Sequence, residues 1–251
     1  MKKILFADLD DTLFQSHRKM SPAQDWRPLA FLSDGSAISY ANPQQQAMLE
    51  LFMREMTVIP VTARNHDAYR RVDISFQAEA IINYGGIILN ADGQPDPIWQ
   101  AASAAKAEAS QADLQRWTDA LLAESERLGL DLRIRLIRDF DIPFYVVAKS
   151  SSGNDAAVAV AAEFCLRERE AGHLPDLYIH INSNNLALIP RWLDKRHAVD
   201  NLRQRYAEAG HQVLSFGMGD SLVDLNFIGA CDYMIVPAAS QIAALRLRGE
   251  A

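Results

Sequence analysis

From its first residues this 251-residue chain alternates short apolar runs, bounded by turn residues, with stretches of helical periodicity. That alternation commits a chain to a parallel sheet with helices on both faces. Each run is too short for a helix and too continuously apolar for a half-exposed strand. KILFA (3–7) is the first such strand. A helix over 43–56 leads into TVIPV (57–61), then a short helix after Arg64 and the strand AIIN (80–83). The pattern resumes near the C-terminus, where Val199, Leu202 and Tyr206 recur at helical spacing up to a capping Gly210. QVLSFGMGD and DYMIVP follow as strands.

Between these halves the texture changes. A long amphipathic helix over 104–128 sets Leu114, Trp117, Leu121 and Leu128 on one stripe. Two alternating strands (130–137 and 142–149), an alanine-rich helix over 154–171 and the strands LYIHIN and NLALIP complete an αββαββ order. The fold class is therefore α/β, a Rossmann-like parallel core, with an inserted α+β cap. The expected domains are 1–86 with 190–251 for the core and 87–189 for the cap, with Gly85, Gly86 and Pro190 as hinge residues. Residues 28–42 read as a hairpin about an Asp-Gly turn, either a flap over a site at the end of the first strand or a plain surface hairpin.

Bulk charge narrows the partners. A net charge of −7 argues against nucleic acid or an anionic membrane held by bulk electrostatics, while leaving room for a small anion held by local cations. No apolar run approaches the roughly 20 residues of a membrane span, and acids arrive too early for a signal peptide, so a cytoplasmic protein is expected. Cys165 and Cys231 fit no disulfide framework or zinc spacing and read as core thiols.

The chemistry concentrates where strands end. FADLDDTLF (6–14) crowds Asp8, Asp10 and Asp11 onto the carboxyl end of the first strand, where open parallel sheets bind ligands. Carboxylates this close raise one another's pKa unless a cation intervenes, and Mg²⁺ prefers oxygen ligands. Thr62 ends the next strand at a helix start, suited to an oxyanion. Lys195 sits in the first turn of a helix, where the dipole disfavours a cation and so asks for a reason. Gly219, Asp220 and Asp224 follow a later strand. Each has a plain alternative: an N-cap for Thr62, a solvated helix lysine for Lys195, loop and cap acids for Asp220 and Asp224. Together, in this order, they form the parts list of Mg²⁺-assisted phosphoryl transfer.

DLDDT, VTAR, Lys195 and GDSLVD resemble, in their order, the motifs of the haloacid dehalogenase superfamily phosphatases. The branch is the one with a large αββαββ cap, which includes sucrose-phosphate, trehalose-phosphate and mannosyl-phosphoglycerate phosphatases. The resemblance implies Asp8 as nucleophile and Asp10 as general acid and base. It implies Thr62 and Lys195 as holders of the phosphoryl oxygens. It gives Mg²⁺ to Asp8, the backbone carbonyl of Asp10 and Asp220, with Asp224 as a direct or water-mediated ligand. Asp11 matches a variable position, and Thr12 is expected to fix the loop by hydrogen bonds. Two departures stand out: Ala63 replaces the usual glycine of the second motif, and Val223 precedes Asp224 where relatives carry asparagine.

Arg64 joins the expected substrate-binding residues, with Arg133, Arg135, Tyr145, Lys149, His180 and Asn182, which alternation puts on one face of the cap strands. That face offers cations, an aromatic and amides to a sugar phosphate or similar small metabolite; its alternative is a solvated sheet with snorkelling charges. Three rivals to a hydrolase are a phosphomutase, which needs cations for a second phosphate, a receiver-type phospho-acceptor, and a silent binding protein.

Overall fold

The structure is a computed structural model that describes residues 1–19, 21–150, 152–182 and 185–247. It divides into two compact units, Met1–Gln100 with Asp194–Ala251, and Ala101–Leu193.

The first unit begins with β1 (Lys2–Ala7), then β2 (Gln15–Ser16), β3 (Arg27–Phe31), β4 (Ala37–Ala41), α1 (Pro43–Glu55), β5 (Thr57–Pro60), α2 (His66–Tyr69), β6 (Ala80–Ile82) and β7 (Ile87–Leu89). From α3 (Pro97–Leu128) the chain enters the second unit, with β8 (Leu132–Asp139), β9 (Ile142–Ser150), α4 (Asp155–Glu170), β10 (Tyr178–Asn182) and β11 (Asn185–Ile189). It returns to the first unit with α5 (Lys195–Glu208), β12 (Val213–Met218), α6 (Leu225–Ile228), β13 (Tyr233–Ile235) and α7 (Gln241–Leu247).

The core sheet runs β13-β12-β1-β5, all parallel. Alternation along β1 splits its side chains between two cores. Ile4 and Phe6 pack with Ala198, Val199 and Leu202 of α5, while Leu5 and Ala7 pack with Leu49 of α1 and Leu29 of β3. Register then places the chemistry. Ala7 lies opposite both Met218 and Pro60, so Asp8, Gly219 and the Val61-Thr62 step leave the sheet side by side.

The 27–41 hairpin turns at Asp34-Gly35, with Gly35 at φ +83° and Asp34 Oδ1 accepting from Ser36 N at 2.9 Å. Its base is packed, Leu29, Ala30 and Ala41 being fully buried, its tip is exposed, and β2 extends it to three strands.

Gly85, expected as a hinge, stands in a close packing contact. It adopts φ +94°, and a Cβ there would stand 2.6 Å from Asp194 O, so only glycine lets this loop meet the start of α5. Trp99 Nε1 donates to Gly85 O at 3.0 Å. Residues 87–100 therefore stay with the first unit, β7 pairing antiparallel with β6, and the inserted unit spans 101–193 rather than the expected 87–189. The helix expected from 104 starts at Pro97, with Asp96 Oδ1 accepting from Trp99 N at 2.8 Å as its cap.

The second unit is an antiparallel sheet, β10-β11-β9-β8, with two helices on one face. Leu114, Trp117 and Leu121 of α3 and Val158, Ala161 and Cys165 of α4 bury Val146, Ala148, Leu186 and Leu188. Leu128, expected on the apolar stripe, is exposed instead. Among the described residues no helix is long and apolar enough to cross a membrane.

Candidate active site

Three carboxylates, Asp8, Asp220 and Asp224, each present an oxygen within 4.8 Å of the others, and all three side chains are buried. Asp8 leaves the end of β1, and the chain then curls tightly, Leu9 O accepting from Leu13 N at 2.9 Å. Thr12 fixes this loop as expected: its hydroxyl is 3.3 Å from both Asp8 Oδ2 and Asp220 Oδ1, to either of which it can donate. Asp11, given no chemistry by its motif position, takes a left-handed conformation (φ 63°) and pairs with Lys19.

Among the described residues, Lys195 brings its ammonium into the cluster. Its Nζ donates to Asp8 Oδ1 at 2.7 Å and to Asp224 Oδ1 at 2.6 Å, and the residue is only 2% exposed. This explains a lysine in the first turn of α5: the opposing dipole is outweighed by two carboxylates. The turn is itself anchored, Asp194 capping Arg196 N and accepting from Asn226 Nδ2 at 2.7 Å. Burial lowers the Lys195 pKa, but the charges of Asp224 and Asp8 outweigh it, and the net shift is upward.

The acids respond the other way. Burial raises the Asp8 pKa well above the carboxylate range, and the charges of Asp224 and Asp220 add to the rise against the opposing pull of Lys195. Burial, then the charges of Asp224 and Asp11, push Asp220 up to about 7. Three carboxylates sharing one ammonium are short of positive charge, and their hard oxygen atoms suit Mg²⁺.

Asp224 is fully buried, and its second oxygen accepts from Ser221 N at 3.0 Å and Ser221 Oγ at 2.7 Å. Gly219 permits the turn, since a Cβ there would stand 2.6 Å from Asp224 Cβ. Thr62 is buried at the end of β5, its hydroxyl accepting from Arg64 N at 3.1 Å. Ala63 is not among the residues of positive φ, so the missing glycine leaves no strain.

Arg64 lies in the first unit beside Asp10 and binds that carboxylate through two nitrogens, a pairing no sequence pattern announced. The other six expected ligand residues belong to the second unit. Register puts Arg133 opposite Lys149, Arg135 opposite Val147 and His180 opposite Ala187, all on the face away from α3 and α4. Tyr145 and Asn182 share that face, and the His180 ring stacks on Tyr178 with centroids 6.4 Å apart. A separate cavity of about 380 Å³ opens at the other end of β1 and β5, lined by Lys2, Met53, Phe76 and Tyr206, and holds none of the clustered residues.

No protein-family model matches the chain, and no curated protein matches it in sequence. Solved structures do match. The trehalose-6-phosphate phosphatase C-terminal domain of C. albicans aligns over 91% of this chain and 73% of its own, at 11% identity and TM-score 0.57. The sucrose-phosphatase of Synechocystis, in complex with sucrose and phosphate, aligns over 100% and 88%, at 16% identity and TM-score 0.53. An IMP-bound IMP-nucleotidase of Plasmodium falciparum aligns over 100% and 68%, at 11% identity and TM-score 0.54. Identities this low speak for the fold alone, which this chain shares with these three proteins.

Proposed function

We propose that the protein is a Mg²⁺-dependent phosphoric monoester hydrolase acting on a small phosphorylated metabolite, a sugar phosphate above all, in the cytoplasm. The observation that carries this is the buried constellation of Asp8, Asp220 and Asp224 beyond the carboxyl ends of β1 and β12 and Lys195 at the start of α5, with the Thr12 hydroxyl 3.3 Å from both Asp8 and Asp220. Asp8 attacks phosphorus, the ester P–O bond breaks, and Asp10 gives its proton to the leaving oxygen. Asp10 then takes a proton from water, which attacks the aspartyl-phosphate and frees Asp8 and inorganic phosphate. Lys195 and Thr62 hold the transferring oxygens. Asp8, the backbone carbonyl of Asp10 and Asp220 would hold Mg²⁺, with Asp224, which also accepts from Lys195, as a further direct or water-mediated ligand. The metal's charge, when bound, would offset that of the phosphoryl group and the acids.

The face of the second unit's sheet bearing Arg133, Arg135, Tyr145, Lys149, His180 and Asn182 suits a polyhydroxylated anion. A phosphomutase is the second reading, favoured by Arg133 standing directly opposite Lys149, a like-charged pair a sheet keeps only at a cost.

The test is phosphate release from a panel of sugar phosphates and nucleoside monophosphates, with Mg²⁺ and with chelator. Mg²⁺-dependent release is the expected result. Turnover only in the presence of a bisphosphate activator would point to the mutase, and no release from any ester would end the hydrolase reading.

Metal binding has a second readout in stability. Asp220 titrates near 7 in the folded protein against an ordinary value of 3.8, so the folded chain holds a proton the unfolded chain has lost. Its contribution to metal-free stability therefore falls as pH rises across that window. Mg²⁺ competes with this proton, so the rise in melting temperature on adding Mg²⁺ is expected to be small near pH 5 and several-fold larger near pH 8. Equal rises at the two pH values would remove Asp220 from the metal site.

A further inference from the structure

Asp10 does not leave β1 unaccompanied. Arg64 Nε donates to Asp10 Oδ2 and Arg64 Nη2 to Asp10 Oδ1, both at 2.7 Å. This is the side-on fork that a planar guanidinium makes and an ammonium cannot. The arginine is fixed from other directions as well. Its Nη1 donates to Ala68 O at 3.2 Å, and its guanidinium carbon lies 5.3 Å from the ring centroid of Phe14, itself fully buried. The Arg64 side chain is 15% exposed and that of Asp10 49%. The arginine is thus the anchored partner and the acid the accessible one. The backbone ties the same residue into the site: Arg64 N donates to Thr62 Oγ1 at 3.1 Å, and Arg64 O accepts from Asn83 N at 2.9 Å.

We infer that Arg64 is a positioning residue that acts through Asp10, and not a ligand for the substrate. The inference rests on the hydrolase reading above, in which Asp10 gives a proton and later takes one. When the ester P–O bond breaks, the Asp10 proton passes to the leaving oxygen and a carboxylate remains. When water attacks, its proton passes to that carboxylate as the bond from phosphorus to Asp8 breaks. The carboxyl oxygen that gives the proton and later takes one must therefore be presented to the reacting centre twice, from a side chain half open to solvent. Free rotation would spread it over several rotamers; the fork selects one orientation and is complementary to the anion that exists between the two transfers.

The test is steady-state kinetics on an alkyl phosphate monoester hydrolysed by the wild type, comparing Arg64→Gln, Arg64→Lys, Asp10→Asn and the double variant Asp10→Asn with Arg64→Gln. Arg64→Gln is expected to lower kcat by about 10- to 100-fold, since misplacing a catalytic group by an ångström costs that order. KM and the inhibition constant of inorganic phosphate should stay within about 3-fold, which also shows the site still assembled. Arg64→Lys should recover little, because it keeps the charge and loses the fork. In the Asp10→Asn background, Arg64→Gln should cost no more than about 2-fold further, since the partner it positions is gone. A raised KM at unchanged kcat, or a loss that persists in full on Asp10→Asn, would overturn the inference while leaving the hydrolase standing. A wild type that releases no phosphate overturns the hydrolase reading, and this inference with it.

Discussion

Asp8→Asn is expected to lower phosphate release by about 10⁴-fold or more while leaving the fold intact. The amide has the size of the carboxyl and lacks the nucleophilic anion. Its effect on stability should run against its effect on rate. Asp8 is 6% exposed, and its pKa is raised by burial and by the charges of Asp224 and Asp220, so the folded chain resists its ionisation. A neutral side chain removes that resistance, and the metal-free variant should melt at the wild-type temperature or above. Mg²⁺ should then raise the melting temperature less than in the wild type, because one of three clustered carboxylates is gone. Phosphate release and melting with and without Mg²⁺ measure both effects. Activity within about tenfold of wild type would show that Asp8 does not attack phosphorus.

The parts of this site that show in the sequence are those fixed by local rules. KILFA reads as a central strand because Ile4, Leu5, Phe6 and Ala7 are apolar on both faces, and all four are fully buried. Asp8, Thr62 and Asp220 are legible because each lies within two residues of the end of a plain strand, and Lys195 because it opens a plain helix. Pairings across the fold are not. Arg64 meets Asp10 from 54 positions away, and Thr12 meets Asp220 from 208. No periodicity carries such contacts. Gly85 reads as a hinge in sequence because the backbone of Asp194, which excludes any side chain there, is distant along the chain. The start of α3 is a different kind of miss, since Asp96-Pro97 is a local cap signal in plain view. The cap boundary shifted with it: residues 87–100 look like the approach to the insert, yet β7 pairs with β6.

Lys195→Met should be the most destabilising single change at the site, by about 3 to 5 kcal/mol without metal, the range for breaking a buried pair from one side. Methionine fills much of the lysine stem's volume, so the loss reports charge more than packing. What remains is Asp8, Asp220 and Asp224 with oxygens within 4.8 Å of one another and no ammonium among them. Lys195 is 2% exposed and Asp224 0%, so water does little to relieve that repulsion. The deficit should depend on pH with a definite sign. Losing the cation removes the pull that holds the folded pKa values of Asp8 and Asp220 down, so protonation offsets the loss near pH 5 and does so less near pH 8. The cost should therefore grow as pH rises, and Mg²⁺ should recover part of it at the higher pH. Adding Asp8→Asn to Lys195→Met should also restore stability, since one of the uncompensated charges is then neutral. Urea unfolding of the two single variants and the double variant, at both pH values, measures this coupling. A cost below about 1 kcal/mol near pH 8 would mean the carboxylates do not carry the charge that the phosphoryl chemistry requires of them.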